Sequence, residues 1–239
     1  MMRALGLLGL LLAWQAAASV SAPHVLPGPL VVAGTLFDQR GALLVDAGRS
    51  FARVGAGYLA AVALGLAVAG AMRASRPIDL VMAPLLAGLR AVPPLAWAPM
   101  LLLWIGIGDG SAAIVVFLGA FFPVARMARA GLGAVPDQLR IAASNLGATP
   151  ASIVWRVLLP AALPDVVTGL RLGWTLAWMS VVAAELVGAD GGLGQRVLDA
   201  RNLARPDIAL ASMVVIGTLA AVSEAAWGRV ERRILRWRP

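Results

Sequence analysis

The chain has 239 residues, of which 60% are hydrophobic and 13% charged, and its formal net charge is +8. That balance excludes an ordinary soluble domain and a disordered tail, and it points to a polytopic membrane protein. With no cysteine, no lysine and a single His24, the sequence lacks disulfides, thiolate metal sites, a cysteine nucleophile and the GK[ST] phosphate loop, so any ATP chemistry belongs to another chain.

Uncharged apolar stretches of close to the ~20 residues needed to cross a bilayer recur along the chain. They are continuous rather than alternating, which favours helices over barrel strands. We expect an all-α membrane protein with one domain over 1–239 and six spans, near 4–21, 54–72, 79–107, 111–128, 166–187 and 208–227. All 20 basic residues are arginine. Twelve of them (Arg3, Arg73, Arg76, Arg126, Arg129, Arg140, Arg156, Arg229, Arg232, Arg233, Arg236 and Arg238) fall in one alternating set of ends and loops, and six (Arg40, Arg49, Arg53, Arg196, Arg201 and Arg205) in the opposite set. The positive-inside rule therefore puts both termini and the loop between spans four and five in the cytoplasm.

Residues 1–22 combine Arg3, an apolar core and Val20-Ser21-Ala22, which resembles a cleavage site, but the apolar stretch is long for a signal core and reads as an uncleaved first span. Pro23, Pro27 and Pro29 then break the chain before Val31 to Arg53, whose Asp38, Arg40, Asp46 and Arg49 suggest an amphipathic periplasmic segment. In span two, Gly55, Ala56, Ala60, Ala63, Ala67 and Gly70 are expected at close helix approaches. Span three is too long for one straight crossing, and Pro93, Pro94 and Pro99 are expected to break it beside Arg90. Interrupted helices with a nearby charge mark candidate substrate routes, so Arg90, Pro93, Pro94, Trp97 and, near the outer end of span five, Glu185 are candidate route residues. A snorkelling Arg90 and a purely structural Glu185 remain open. The glycines Gly191, Gly192 and Gly194 in the next outer loop are candidates for docking a periplasmic partner. The arginine-rich tail suits the anionic inner leaflet.

Between spans four and five lies a polar segment, 137–160. Asp137 can cap a first short helix to about Leu146, Gly147 suits a left-handed closing residue, and Thr149-Pro150 can start a second helix to about Leu158. Leu159 precedes Pro160 and should leave helical geometry, and Pro160 with Pro164 should prevent a smooth run into span five. Two short helices and a glycine turn also describe a DNA-binding motif, but only Arg140 and Arg156 are basic and spans flank it closely, so no nucleic acid is expected. A compact helical knob at a membrane surface fits a groove in another protein.

The segments Leu89–Gly110, Leu118–Val124, Leu146–Trp174 and Ala184–Gly194, with the spacing Ala142-Ala143, three residues, Gly147, nine residues, Val157, one residue, Leu159-Pro160, resemble the inner-membrane permease subunits of binding-protein-dependent ABC importers, within them the nitrate, sulfonate and taurine permeases. The resemblance covers nearly the whole chain. It implies the type I ABC importer permease fold in a bacterial inner membrane, a homodimeric pore, two copies of a separate ABC ATPase, and a periplasmic or lipid-anchored substrate-binding protein. It also implies an ATPase-coupling loop at Ile141, Ala142, Ala143, Gly147, Val157, Leu159 and Pro160. Ile141 stands where the family usually carries glutamate. The implied cargo is a small anion of the aliphatic sulfonate, taurine or nitrate class; a thiamine-related pyrimidine or other heterocyclic vitamin precursor is the alternative. An intramembrane enzyme is the remote one, because His24 lies in a proline-rich segment and only Glu185 and Glu224 are carboxylates near spans. No catalytic residue, cofactor or metal site is expected.

Overall fold

In a computed structural model, which describes residues 2–22 and 25–236, the chain folds into helices and no strand is present among the described residues. Pro23, His24 and Arg238 lie outside them. In chain order the helices are α1 (Met2–Val20), α2 (Pro29–Asp38), α3 (Arg40–Ala74), α4 (Arg76–Arg90), α5 (Ala98–Ile105), α6 (Asp109–Ala134), α7 (Asp137–Asn145), α8 (Pro150–Ile153), α9 (Leu159–Gly188), α10 (Leu193–Asn202) and α11 (Pro206–Ile234). Among the described residues, four continuous helical stretches are long and apolar enough to cross a membrane: Arg40–Ala74, Asp109–Ala134, Pro150–Gly188 and Pro206–Ile234. A fifth crossing is available to the bent pair Arg76–Arg90 and Pro94–Ile105, while the apolar part of α1, Leu8–Val20, is a shorter helix.

The core is a three-helix packing of α3, α6 and α9. The most apolar window of α6 is 67% buried and that of α11 only 11%, so α6 is the centre and α11 peripheral. Val54, Tyr58, Ala61, Val116, Ala120, Phe121, Ala177, Trp178 and Val181 form the main apolar cluster. Leucines and methionines such as Leu59, Leu64, Leu103, Met179 and Met213 face outward, as they can where the solvent is hydrocarbon. Hydrophobic burial gives little drive between helices in lipid, so close backbone approach does the packing. Gly57 meets the Ala113 carbonyl and Val116, Gly65 meets Val124 and Ala125, and Gly173 meets Val124 and the Ala120 carbonyl.

The packing stripe of α3 is therefore Gly57, Ala61, Gly65 and Ala69, four residues apart and all buried. This corrects the expectation for span two: Gly55 and Gly70 have open space around them, and Ala56, Ala60, Ala63 and Ala67 are exposed. Small residues cover more than one face of α3, and only the position of α6 selects among them.

Two further expectations change. Val31–Arg53 is not one interfacial segment: the chain turns at Gln39, and 40–53 continues into span two as a single helix of 35 residues. Asp46, Ser50 and Arg53 turn inward to partners, with Asp46 2.8 Å from Arg196, while Arg40 and Arg49 stay exposed. Nor do Pro160 and Pro164 interrupt the chain, because Leu159 is helical at φ −63°, ψ −48° and 150–188 is one helical run of 39 residues. A widened π turn over Val154–Leu158 directly precedes Pro160. It relaxes the hydrogen-bond ladder where the missing proline N–H and the ring clash would otherwise break it. Pro164 is absorbed inside α9 one turn later.

The peripheral α11 is tied on by directional contacts. The Trp174 indole N–H donates to Ser223 Oγ at 3.0 Å, the Tyr58 and Trp227 rings pack edge to face at 6.3 Å, and Arg171 donates to Glu224 at 2.5 Å and Glu231 at 2.8 Å.

Candidate functional site

At one end of the bundle, α7 and α8 form a knob held by local geometry. Gly147 has φ +80°; its N–H donates to the Ser144 carbonyl at 2.9 Å, and the Ala148 N–H donates to the Ala143 carbonyl at 3.1 Å. This double closure is a Schellman motif, and it explains the spacing from Ala143 to Gly147: the alanine supplies the carbonyl that the residue after the glycine caps. A Cβ on Gly147 would meet nothing within 4 Å, so glycine is demanded by backbone conformation and not by space. Thr149 Oγ1 then accepts from the Ser152 N–H at 3.3 Å, and Pro150 starts α8.

The knob is anchored and yet apolar outside. Ile153 and Leu158 are buried with Ala69, Leu132 and Ala162, while Leu146 is 88% and Trp155 72% exposed. A cleft of about 580 Å³ runs between Ala74, Arg140, Ile141, Ser144, Pro150, Ile153 and Leu158. Of the other expected coupling residues, Ala142 and Pro160 are exposed and Ala143, Val157 and Leu159 half-buried. Exposed apolar side chains on a rigid polar-flanked knob are suited to a protein partner.

The break in span three shapes a second feature. Pro93 is extended at φ −56°, ψ 138°, and the two arms around it meet at 86°. Arg90, Pro93 and Pro94 line a cavity of about 400 Å³ with Phe122, Arg126 and Met127 of α6 and Leu172, Met179 and Ser180 of α9. Its walls are mainly apolar and its charges are the two guanidinium groups, an arrangement that attracts an anion and orients it. Arg126 is a lining residue that sequence reasoning assigned only to a cytoplasmic end. Trp97 does not line this cavity; it packs against the cluster of Ala98, Leu101, Ala112, Val115 and Ala184.

Glu185 is not in the cavity either. It is 0% exposed and saturated: Ser50 Oγ donates to it at 2.8 Å, Arg53 at 2.8 Å and the Gly194 N–H at 2.8 Å. Arg53, 2% exposed, also donates to Asp109 at 2.7 Å and to the carbonyls of Gly191 and Asp190 at 2.6 and 3.0 Å. This network joins α3, α6, α9 and the loop before α10, and it holds Glu185 away from the cavity lining. It also corrects the docking glycines. Gly192 and Gly194 are buried against Glu185, and Gly191 packs on Arg49. Gly191 and Gly192 have φ of +82° and +107°, which lets the loop wrap the carboxylate. The sequence carried only half of the signal: Asp46, Ser50 and Arg53 share one helical face, but nothing in it pairs them with Glu185 in span five. Nearby, at the corner between α10 and α11, the carboxylate of Asp207 raises the Arg205 guanidinium further above its usual range.

Known proteins resemble this arrangement along most of its length. The family described as the binding-protein-dependent transport system inner membrane component matches residues 61–236. The chain is 37% identical over 238 residues to the taurine transport system permease protein of Escherichia coli K12, covering 95% of this chain and 86% of that one. It is 32% identical over 216 residues to a putative aliphatic sulfonates transport permease protein of Bacillus subtilis 168, covering 90% and 78%, and 34% identical over 201 residues to a nitrate import permease protein of Synechococcus elongatus, covering 79% and 72%. Among solved structures, an inward-facing methionine ABC transporter superposes with a TM-score of 0.72 at 24% identity, covering 82% of this chain and 98% of that one. An amino acid ABC transporter does so at 0.66 and 18%, covering 84% and 96%.

Proposed function

This chain belongs to the family of binding-protein-dependent transport system inner membrane components, and from that premise we propose that it is the permease subunit of an ABC importer for a small organic or inorganic anion of the aliphatic sulfonate, taurine or nitrate class. It is a multi-pass membrane protein with both termini and the 137–160 coupling loop in the cytoplasm. It works as a pair of copies with two copies of a separate ATPase and a periplasmic or lipid-anchored binding protein, and performs no catalysis itself.

The observation that carries this reading is the helical run 150–188. At 1.5 Å per residue its 39 residues span about 58 Å, from the exposed knob past the cavity wall at Leu172, Met179 and Ser180 to the Glu185 network. A partner that moves the knob thereby moves the cavity wall. Ile141, Ala142, Ala143 and Gly147 present the surface, while Val157, Leu159 and Pro160 begin the lever. ATP-driven closure of the ATPase pair supplies the energy difference between inward- and outward-open states, and this chain is the two-state element that it biases. Arg90 and Arg126 favour an anion, and the apolar remainder leaves fine discrimination to the binding protein. Direct docking through Gly191, Gly192 and Gly194 is replaced by a surface that their loop shapes.

The test is ATP hydrolysis by the permease reconstituted with its ATPase, with binding protein loaded in turn with taurine, alkanesulfonates, nitrate and thiamine-related pyrimidines. Stimulation by a sulfonate or nitrate is the expected result. Stimulation by a pyrimidine alone moves the substrate to the heterocyclic class, and failure to associate with any ATPase removes the importer reading.

A further inference from the structure

Three cavities follow one another along the cleft between α4 and α6. Arg90, Phe122 and Arg126 line both the first and a second one of about 170 Å³; Met72 and Arg129 line both the second and a third of about 490 Å³. The third opens beside Arg73 and Arg76, at the corner where α3 passes into α4. Each is concave on an arginine, and the shared residues make them one path.

Arg76, Arg90 and Arg126 form no ion pair among the described residues. Arg73 uses its Nε on the Leu132 carbonyl at 3.2 Å. Arg129 is the exception: its Nε and Nη2 donate to the two oxygens of Asp79 at 2.5 and 2.9 Å. One other carboxylate reaches the path, Asp137, and it lies 3.5 Å from Arg140. The cleft therefore holds an excess of positive charge, with the partly exposed Asp79 carboxylate seated on its middle guanidinium.

We propose that this cleft is the inner release route for the anion, with Arg90 and Arg126 as the upper station, Arg129 as the gate and Arg73 with Arg76 as the mouth. The proposal rests on the anion-importer reading. Conduction between binding stations requires each to hold its ion strongly enough to admit it and weakly enough to release it. Asp79 provides that weakness at Arg129, since an arriving oxyanion must displace a bidentate carboxylate of the same charge and similar shape. The anion leaves toward Arg73 and Arg76 as Asp79 returns.

The test uses the full importer in vesicles that enclose the binding protein and labelled taurine, with ATP in the bath, so that the cytoplasmic face is outside. Ethanesulfonate in the bath then probes the route from its mouth. Asp79→Asn frees Arg129, and the concentration of ethanesulfonate that halves transport falls about tenfold, the scale of one charge-assisted hydrogen bond. Arg129→Gln and Arg126→Gln raise it by a similar factor and slow export to the bath, whereas Arg126→Lys stays near wild type. Variants that copurify with the ATPase in wild-type amounts yet leave this inhibition unchanged overturn the route. The same set is run with and without phosphatidylglycerol: effects that vanish when the anionic lipid is omitted assign the cleft to a lipid phosphate and also overturn it. A wild type that transports no taurine, alkanesulfonate or nitrate brings down the anion reading itself, a failure visible before any variant is made.

Discussion

Arg53 and Glu185 lie 2.8 Å apart with side chains 2% and 0% exposed, and they bind α3 to the far end of α9 across 132 residues of sequence. A charge pair so fully removed from water persists only where every remaining hydrogen-bonding position is filled, and here Ser50, Asp109 and the loop backbone fill them. Removing one member is therefore expected to cost far more than the pair contributes. Glu185→Ala takes the one buried counter-charge from Arg53, leaves its guanidinium to the exposed Asp109 and two carbonyls, and should destabilise the protein by about 3 kcal/mol, whereas Ser50→Ala, which removes a neutral donor, should cost about 1 kcal/mol. Thermal unfolding of the purified permease followed by tryptophan fluorescence separates the two; equal midpoints would contradict the network as drawn.

Glycine substitutions along α3 divide by face. A Cβ on Gly57 meets the Ala113 carbonyl and the Val116 side chain too closely to fit, while Gly55, two residues earlier, has open space. Gly57→Ala should therefore loosen α3 from α6 at a cost of about 1–3 kcal/mol, and Gly55→Ala should be neutral or slightly stabilising. Comparing yield and unfolding midpoint of the two variants checks the assignment of the packing stripe.

What was legible in the sequence is what acts locally. Gly147 turns where it does because the left-handed conformation has few other takers, and Pro93-Pro94 bends span three because a missing donor acts on the adjacent turn. Glu185 read ambiguously because its meaning depends on Arg53, and nothing near either residue announces the other. The α3 stripe failed for the same reason: Gly55 and Gly57 look alike until α6 lies against one of them. Pro160 misled in the opposite sense. A proline rule describes an ideal α-helix, and the π turn at Val154–Leu158 supplies a different ladder in which the proline is tolerated.

Gly147 tests coupling separately from folding. Its φ of +80° and empty surroundings mean that a side chain strains only the turn. Gly147→Val carries a penalty of about 1–2 kcal/mol, enough to shift the knob, whereas Asn visits this conformation more readily. Gly147→Val should keep the membrane core and its unfolding midpoint but lose ATPase stimulation by loaded binding protein several-fold, and Gly147→Asn should retain most of it. Full coupled transport by the valine variant would count against the knob as the lever's handle.

Ile141 marks a departure from the acidic residue usual in the family resemblance. It sits 52% exposed on the rim of the cleft between α7 and α8, among Ala74, Ile153 and Leu158. A half-exposed β-branched side chain there provides apolar contact for a partner and no charge to pair. Association with the ATPase should therefore depend on packing more than on ionic strength: Ile141→Ala should weaken it by about tenfold, a loss of roughly 1.4 kcal/mol, and the wild-type complex should survive high salt. Binding measured at low and high salt for both forms decides the point. If salt alone dissociates the wild-type complex, the exposed arginines Arg140 and Arg156 carry the interface, and the isoleucine is a bystander.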